Sequence, residues 1–122
     1  MEKTIDILCA GEILIDCIGQ QTNATLAETT SYARFLGGSP TNVAINASKL
    51  GLRSALVASC GADGLGDFMI ASLQKANVIT TQLSQKQDTS TSIILVSKST
   101  GTPDFIPYRT ADFLIERDQI PT

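Results

Sequence analysis

FLGGSPTNVAINASKLG, from Phe35 to Gly51, is the stretch on which the reading of this chain turns. Two glycines precede Ser39 and Pro40, an amphipathic run follows, and another glycine closes it. Ser39 is the expected helix cap, Pro40 suits the first helical position, and Gly51 suits the stop. Val43, Ala44, Ala47 and Leu50 fall at helical spacing and predict one apolar face. A helix start gathers unpaired N–H groups and the positive end of a dipole, so a polar or anionic group is favoured in front of it. Gly37 and Gly38 let such a group approach the backbone with no side chain in the way.

Outward from this helix, the neighbouring segments alternate in type. Thr4 to Ala10 (TIDILCA) suits a buried strand, and ILIDCIG continues in strand-forming residues. Gln20 to Ser31 is polar and lacks a helical stripe, which fits a loop or exposed strands. Ser54 to Ser59 (SALVAS) predicts the next buried strand. Asp63 to Ala76 predicts a second helix with Phe68, Ile70, Ala71 and Leu73 toward a core. TSIILVSKSTGTPDFIPYR predicts a hairpin turning at Ser99 to Thr102 and returning to Tyr108. Strand–helix–strand–helix followed by a hairpin indicates an α/β fold, with antiparallel additions to a parallel sheet. Such a sheet wants helices on both faces and strand neighbours on both sides, and 122 residues supply only part of that. The expectation is therefore a portion of a larger unit.

Composition narrows the function classes. Apolar residues make up 43% and charged residues 17%, as in a core-forming chain. With a net charge of −3 and its Lys and Arg scattered singly, nucleic acid and anionic membranes are poor partners. The longest apolar runs fall well short of the ~20 residues of a spanning helix. Glu2, Asp6, Glu12 and Asp16 interrupt the N-terminal segment and argue against a signal peptide, so a cytoplasmic location is expected. Cys9, Cys17 and Cys60 sit among apolar neighbours and are expected to be small buried hydrophobes, with no metal role. Histidine is absent, which removes His-based nucleophile activation and most zinc sites.

Two nucleotide motifs fail at the glycines. GGSPTN lacks the lysine of a phosphate-binding loop, and GADGLG (Gly61 to Gly66) has the wrong spacing for a dinucleotide fingerprint. What remains is a site for a small ligand rich in hydroxyls. The Asn42 amide can donate to and accept from neighbouring hydroxyls, and Asp16 can accept from two of them. An unpaired buried carboxylate is costly, so such a ligand is a sensible partner for Asp16. The plainer alternative is a well-capped turn with a solvated asparagine.

The wider pattern favours the ligand. Gly37-Gly38, Asn42, Ala44, Gly51 and Gly61, in this order and spacing, resemble the first signature of the ribokinase-like carbohydrate kinases, the PfkB family. CAGEILID (Cys9 to Asp16) looks like the family's first strand with its sugar-holding aspartate. GADGLG resembles its G-x-D-x-x-G stretch, and PYRTAD (Pro107 to Asp112) is similar to a segment of fructokinases and related keto-sugar kinases. The resemblance runs from Ile5 to Leu114. It implies a three-layer ribokinase-like (Rossmann-like) sheet with a small β-sheet lid, of which residues 1–122 are the N-terminal, substrate-binding part. It places the lid at approximately 12–34 and 89–109. By match, Asp16, Gly37, Gly38 and Asn42 would hold sugar hydroxyls, and Tyr108 and Arg109 would reach the substrate from the lid. Arg109 has two readings: it pairs with a sugar carboxylate, or it pins the lid to Asp112. Asp63 is expected to stabilise its own helix start.

The implied reaction is ATP-dependent phosphorylation of a sugar hydroxyl, with Mg²⁺. The family's second signature, D-T-x-G-A-G-D, is absent from these 122 residues, and with it the catalytic base and the anion-stabilising helix start. No catalytic residue is therefore expected here, and the chain by itself is expected to be inactive. One alternative is a sugar-binding or regulatory module without catalysis; another is a self-associating remnant with an exposed sheet edge. GEILID and PYRTAD lean toward fructose, whereas FLGGSPTN also resembles kinases that act on a deoxy keto-sugar acid. Pairing of two copies through the lid is implied by the family's habit.

Overall fold

The computed structural model describes residues 4–121. In chain order the elements are β1 (Ile7–Ala10), β2 (Leu14–Gly19), β3 (Tyr32–Gly37), α1 (Ser39–Lys49), β4 (Ser54–Gly61), α2 (Gly64–Lys75), β5 (Leu83–Lys86), β6 (Ile93–Val96) and β7 (Phe105–Tyr108). Two short 3₁₀ turns, Ala111–Phe113 and Arg117–Gln119, follow. The strands form two sheets, one parallel and one mixed, in keeping with the expected α/β sheet accompanied by a separate small β-sheet. β1, β4 and β5 are parallel with β4 central, and β3-β2-β6-β7 is a mixed four-stranded sheet. β6 and β7 are the expected hairpin.

β4 is buried along its whole length, which is why SALVAS is an uninterrupted run of small and apolar residues. Ile13, Ile15, Leu56, Met69 and Leu73 fill the core on which it lies. β5 (LSQK) was not anticipated, because a polar, half-buried strand carries no apolar period.

Both helices differ in detail from expectation. The cap of α1 is Gly38, whose φ of 109° only glycine adopts readily, so Ser39 is already helical and caps nothing. Val43 and Leu50 face solvent, and the buried stripe is Thr41, Ala44 and Ala47. Gly51, at φ 92°, ends the helix as expected. In α2, Ala71 is exposed and Met69 takes the core position beside Leu73. Asp63 caps α2 through its side chain, accepting from Gly66 N–H at 2.8 Å. The same carboxylate accepts from Thr91 N–H at 2.9 Å and Thr91 Oγ1–H at 2.7 Å, tying the helix start to the segment entering β6.

Cys9 and Cys60 are buried, and Cys17 packs against the core from the second sheet. Burial, with Asp63 and then Asp67 adding to it, pushes the Cys60 thiol up to about 12, so it stays protonated and inert. Among the described residues no helix is long and apolar enough to cross a membrane.

Candidate functional site

Register decides which side chains share a face of the mixed sheet. Phe35, Asp16, Ile94 and Pro107 are paired across the four strands and therefore project to one side. Leu36, Ile15, Ile93 and Tyr108 project to the other, where Ile15, Leu36 and Ile93 pack on the core. Arg34 lies on this second face as well, and its guanidinium stacks 3.9 Å from the Phe68 ring of α2. The mixed sheet is thus seated on the core by one face, and the other carries Asp16.

Asp16 and Gly37 meet directly. Any side chain at Gly37 would collide with Asp16 Oδ2 and would lie 2.8 Å from Leu14 Cδ1. Glycine at this position is what leaves the carboxylate accessible at the end of β3. Gly38 is equally confined: a side chain there would run into the carbonyl oxygen of Glu12, which also accepts from the buried Thr41 hydroxyl at 3.0 Å. The strand entering β2 and the start of α1 are therefore pressed together, backbone against backbone. Asn42 sits in the first turn of α1, bonded through its backbone to Gly38 O at 3.0 Å, with its side chain exposed.

The Asp16 carboxylate is half-buried and makes no hydrogen bond with any described residue. Burial raises its pKa, and the nearby Glu12 raises it further. Glu12 itself is held by two donors. Ser39 N–H, the first amide of α1, donates to Glu12 Oε1 at 3.4 Å, and Arg109 Nη2 lies 3.2 Å from Glu12 Oε2. Arg109 also donates from Nε (2.9 Å) and Nη2 (2.5 Å) to Asp112 Oδ2, and its plane lies over the Phe113 ring at 4.5 Å. Asp112 is fully buried and accepts from the Ser92 hydroxyl, whose oxygen in turn receives Thr110 N–H at 2.9 Å and Asp112 N–H at 3.2 Å. These bonds hold the Arg109 charge more firmly: hydrogen bonding to Asp112 contributes most, burial opposes it, and Asp112 and Glu12 add their fields.

Of the residues singled out from sequence, Asp16, Gly37 and Gly38 converge, with Asn42 one turn along the helix and Arg109 joined to them through Glu12. Tyr108 is placed apart, on the face opposite Asp16, because adjacent strand residues alternate and Tyr108 is in register with Ile93. Sequence reasoning missed Glu12, Ser92 and Phe113 as partners at this end of the sheet. It also missed Phe35, Ile94 and Pro107, which give the Asp16 face an apolar floor. Alternation along β2 and β6 was the available signal for that floor, but it needs the register to be used. Among the described residues no three His, Cys, Asp or Glu side chains converge as a metal site.

The chain is matched by the family model for pfkB family carbohydrate kinases over residues 4–120. An ATP-dependent 6-phosphofructokinase of Thermoanaerobacterium thermosaccharolyticum is 42% identical over 115 residues, covering 94% of this chain and 35% of that protein. The structure of Halothermothrix orenii fructokinase superimposes with a TM-score of 0.87 at 40% identity, covering 92% of this chain and 40% of the other. An uncharacterized sugar kinase of Pyrococcus horikoshii, solved in complex with ATP, gives a TM-score of 0.89 at 32% identity over 94% of this chain and 38% of that one. These residues span well under half the length of the relatives they match. Matched by that family model over nearly all its residues and superimposing on those kinases, the chain belongs to the pfkB family of carbohydrate kinases.

Proposed function

We propose that these residues form the sugar-gripping portion of an enzyme that transfers a phosphoryl group from ATP to a hydroxyl of a keto-sugar. The carrying observation is the Asp16 carboxylate, half-buried, unpaired, and facing the side-chain-free turn at Gly37. A carboxylate in that setting lacks the acceptor bonds it would make in water, and vicinal sugar hydroxyls supply them. Asn42 and the backbone at Gly37 and Gly38 would orient the ring from the helix side. The apolar floor of Phe35, Ile94 and Pro107 would take the sugar's C–H face. Tyr108, from the opposite face, would act by fixing the strand that delivers Arg109.

The mixed sheet, drawn from the segments near 12–34 and 89–109, would serve as the lid. Closing it excludes water, which competes with the sugar as phosphoryl acceptor. Phosphoryl transfer depends on positioning and on electrostatic stabilisation of the moving group, normally with Mg²⁺. The residues described here do not fit that role. They offer no three-ligand cluster for a metal and no Gly-Lys-Ser/Thr turn for a triphosphate. Their part is to bind, orient and shield the acceptor, and the donor and catalytic groups would lie outside them.

The test is Asp16→Asn in the whole enzyme. The amide keeps the shape but replaces a charged acceptor by a weaker one, whose loss is worth about 1.5–3 kcal/mol. Sugar affinity is expected to fall roughly ten- to hundredfold, with ATP affinity and unfolding midpoint retained. Unchanged sugar binding would show that Asp16 does not grip the substrate.

A further inference from the structure

Anions are drawn to two features of this site, the guanidinium of Arg109 and the first amide of α1. In this chain both already have an anion. Glu12 spans them, with Oε1 on Ser39 N–H at 3.4 Å and Oε2 on Arg109 Nη2 at 3.2 Å. Arg109 is otherwise committed to the buried Asp112 through Nε and Nη2, and one face of its plane is covered by Phe113. Only Nη1 has no protein acceptor among the described residues, which suits it to donate to a hydroxyl. Two carboxylates, Glu12 and Asp112, thus meet a single guanidinium, and a third, Asp16, lies within the field of Glu12.

We propose that Glu12 is a built-in carboxylate that occupies the anion position formed by Arg109 and the α1 start, making the sugar site select uncharged sugars against sugar acids and sugar phosphates. It rests on the sugar-site reading above and adds the substrate's charge class to it. An incoming carboxylate or phosphate meets like charge from Asp16 and Glu12 and cannot displace Glu12 without leaving that side chain unpaired. Discrimination of this kind works by repelling the wrong ligand.

The experiment uses the whole enzyme with fructose, fructose 6-phosphate and a keto-deoxy sugar acid, each titrated calorimetrically and assayed as a phosphoryl acceptor. The natural enzyme is expected to prefer fructose over both anions. In Glu12→Gln the ratio of anion to fructose affinity is expected to rise at least about tenfold, the scale of a partly desolvated like-charge contact. A readout without substitution is available in the natural enzyme: raising salt should improve anion binding relative to fructose by screening that repulsion. A natural preference for either anion overturns the proposal. So does a ratio that stays within about twofold in both the folded variant and the salt series. If fructose binds and only the ratio is unmoved, the sugar site stands and Glu12's role falls. If no sugar of any class binds, the sugar site itself falls and carries this inference with it.

Discussion

The two sheets of this chain are built on opposite plans. β4, at the centre of the parallel sheet, is buried at every residue, whereas β7, at the edge of the mixed sheet, is exposed at every residue. Phe105 and Tyr108 stand 65% and 50% exposed, although they are large and apolar, while Leu56 on β4 is fully enclosed. The parallel sheet therefore holds the structure, and the mixed sheet carries a face for use. Asp16 lies on a strand of the mixed sheet whose inward residue, Ile15, belongs to the core, while Asp16 itself, the next residue, faces the site. Stability and function are divided by the two-residue period of a single strand.

The strongest way to break the comparison is Leu56→Ala. It leaves a cavity against Cys9, its register partner, within a core that cannot relax freely, and about 2–5 kcal/mol of unfolding free energy should be lost. Denaturant unfolding measures this as a lowered midpoint with an unchanged slope. A loss below about 1 kcal/mol would mean that the parallel sheet is not the stable half.

A smaller effect is expected where the sheets are joined. Burial alone would raise the Asp63 pKa, but hydrogen bonds from the Thr91 side chain, Thr91 N–H, Gly66 N–H and Leu65 N–H together hold it below its ordinary 3.8. A carboxyl with a lowered folded-state pKa contributes stability above its unfolded value, and that stability disappears as pH falls through the folded one. Asp63→Asn should therefore cost about 1–2 kcal/mol at neutral pH, as for a lost cap, and progressively less below about pH 4. Unfolding midpoints of the two proteins recorded down to low pH should converge. Curves that stay parallel would show that the carboxylate charge is not what ties α2 to the entry of β6.

How much of this was legible depended on whether a residue's role is local. SALVAS reads as a buried strand because a central parallel strand is enclosed on both faces, and Gly51 reads as a helix stop because the left-handed turn is a property of that residue. The stripe on α1 was misplaced because its buried side includes Thr41 and Ser48. Their hydroxyls are satisfied by the distant carbonyls of Glu12 and Ala76, so their polarity hides their position. Ser39 looked like a cap because the residue type fits, yet the cap position belongs to Gly38 and the first amide is taken by Glu12. The glycines, Asp16 and Asn42 were legible as a pattern. Glu12 and Ser92 were not, since the chain brings Arg109 and Asp112 to them from far along the sequence, and Phe113 was not, since its part is to cover the Arg109 plane.

The smallest expected effect sharpens the comparison most. Phe105→Thr removes a largely exposed ring from the edge strand while putting in its place a β-branched residue that suits a strand. Phe105 is paired with Val96, so a modest cross-strand contact is lost, and the expected cost is within about 0.5 kcal/mol. Denaturant unfolding at two protein concentrations provides the check. Phe105 shares the Asp16 face, since it alternates with Ile106 and matches Pro107 in direction. A small cost that is the same at both concentrations means that this face is free in the resting protein and open to a ligand. A cost above about 1 kcal/mol that grows with concentration means that a second copy covers it. The exposed sheet would then be an interface, and sugar would have to compete with that copy for the face on which Asp16 lies.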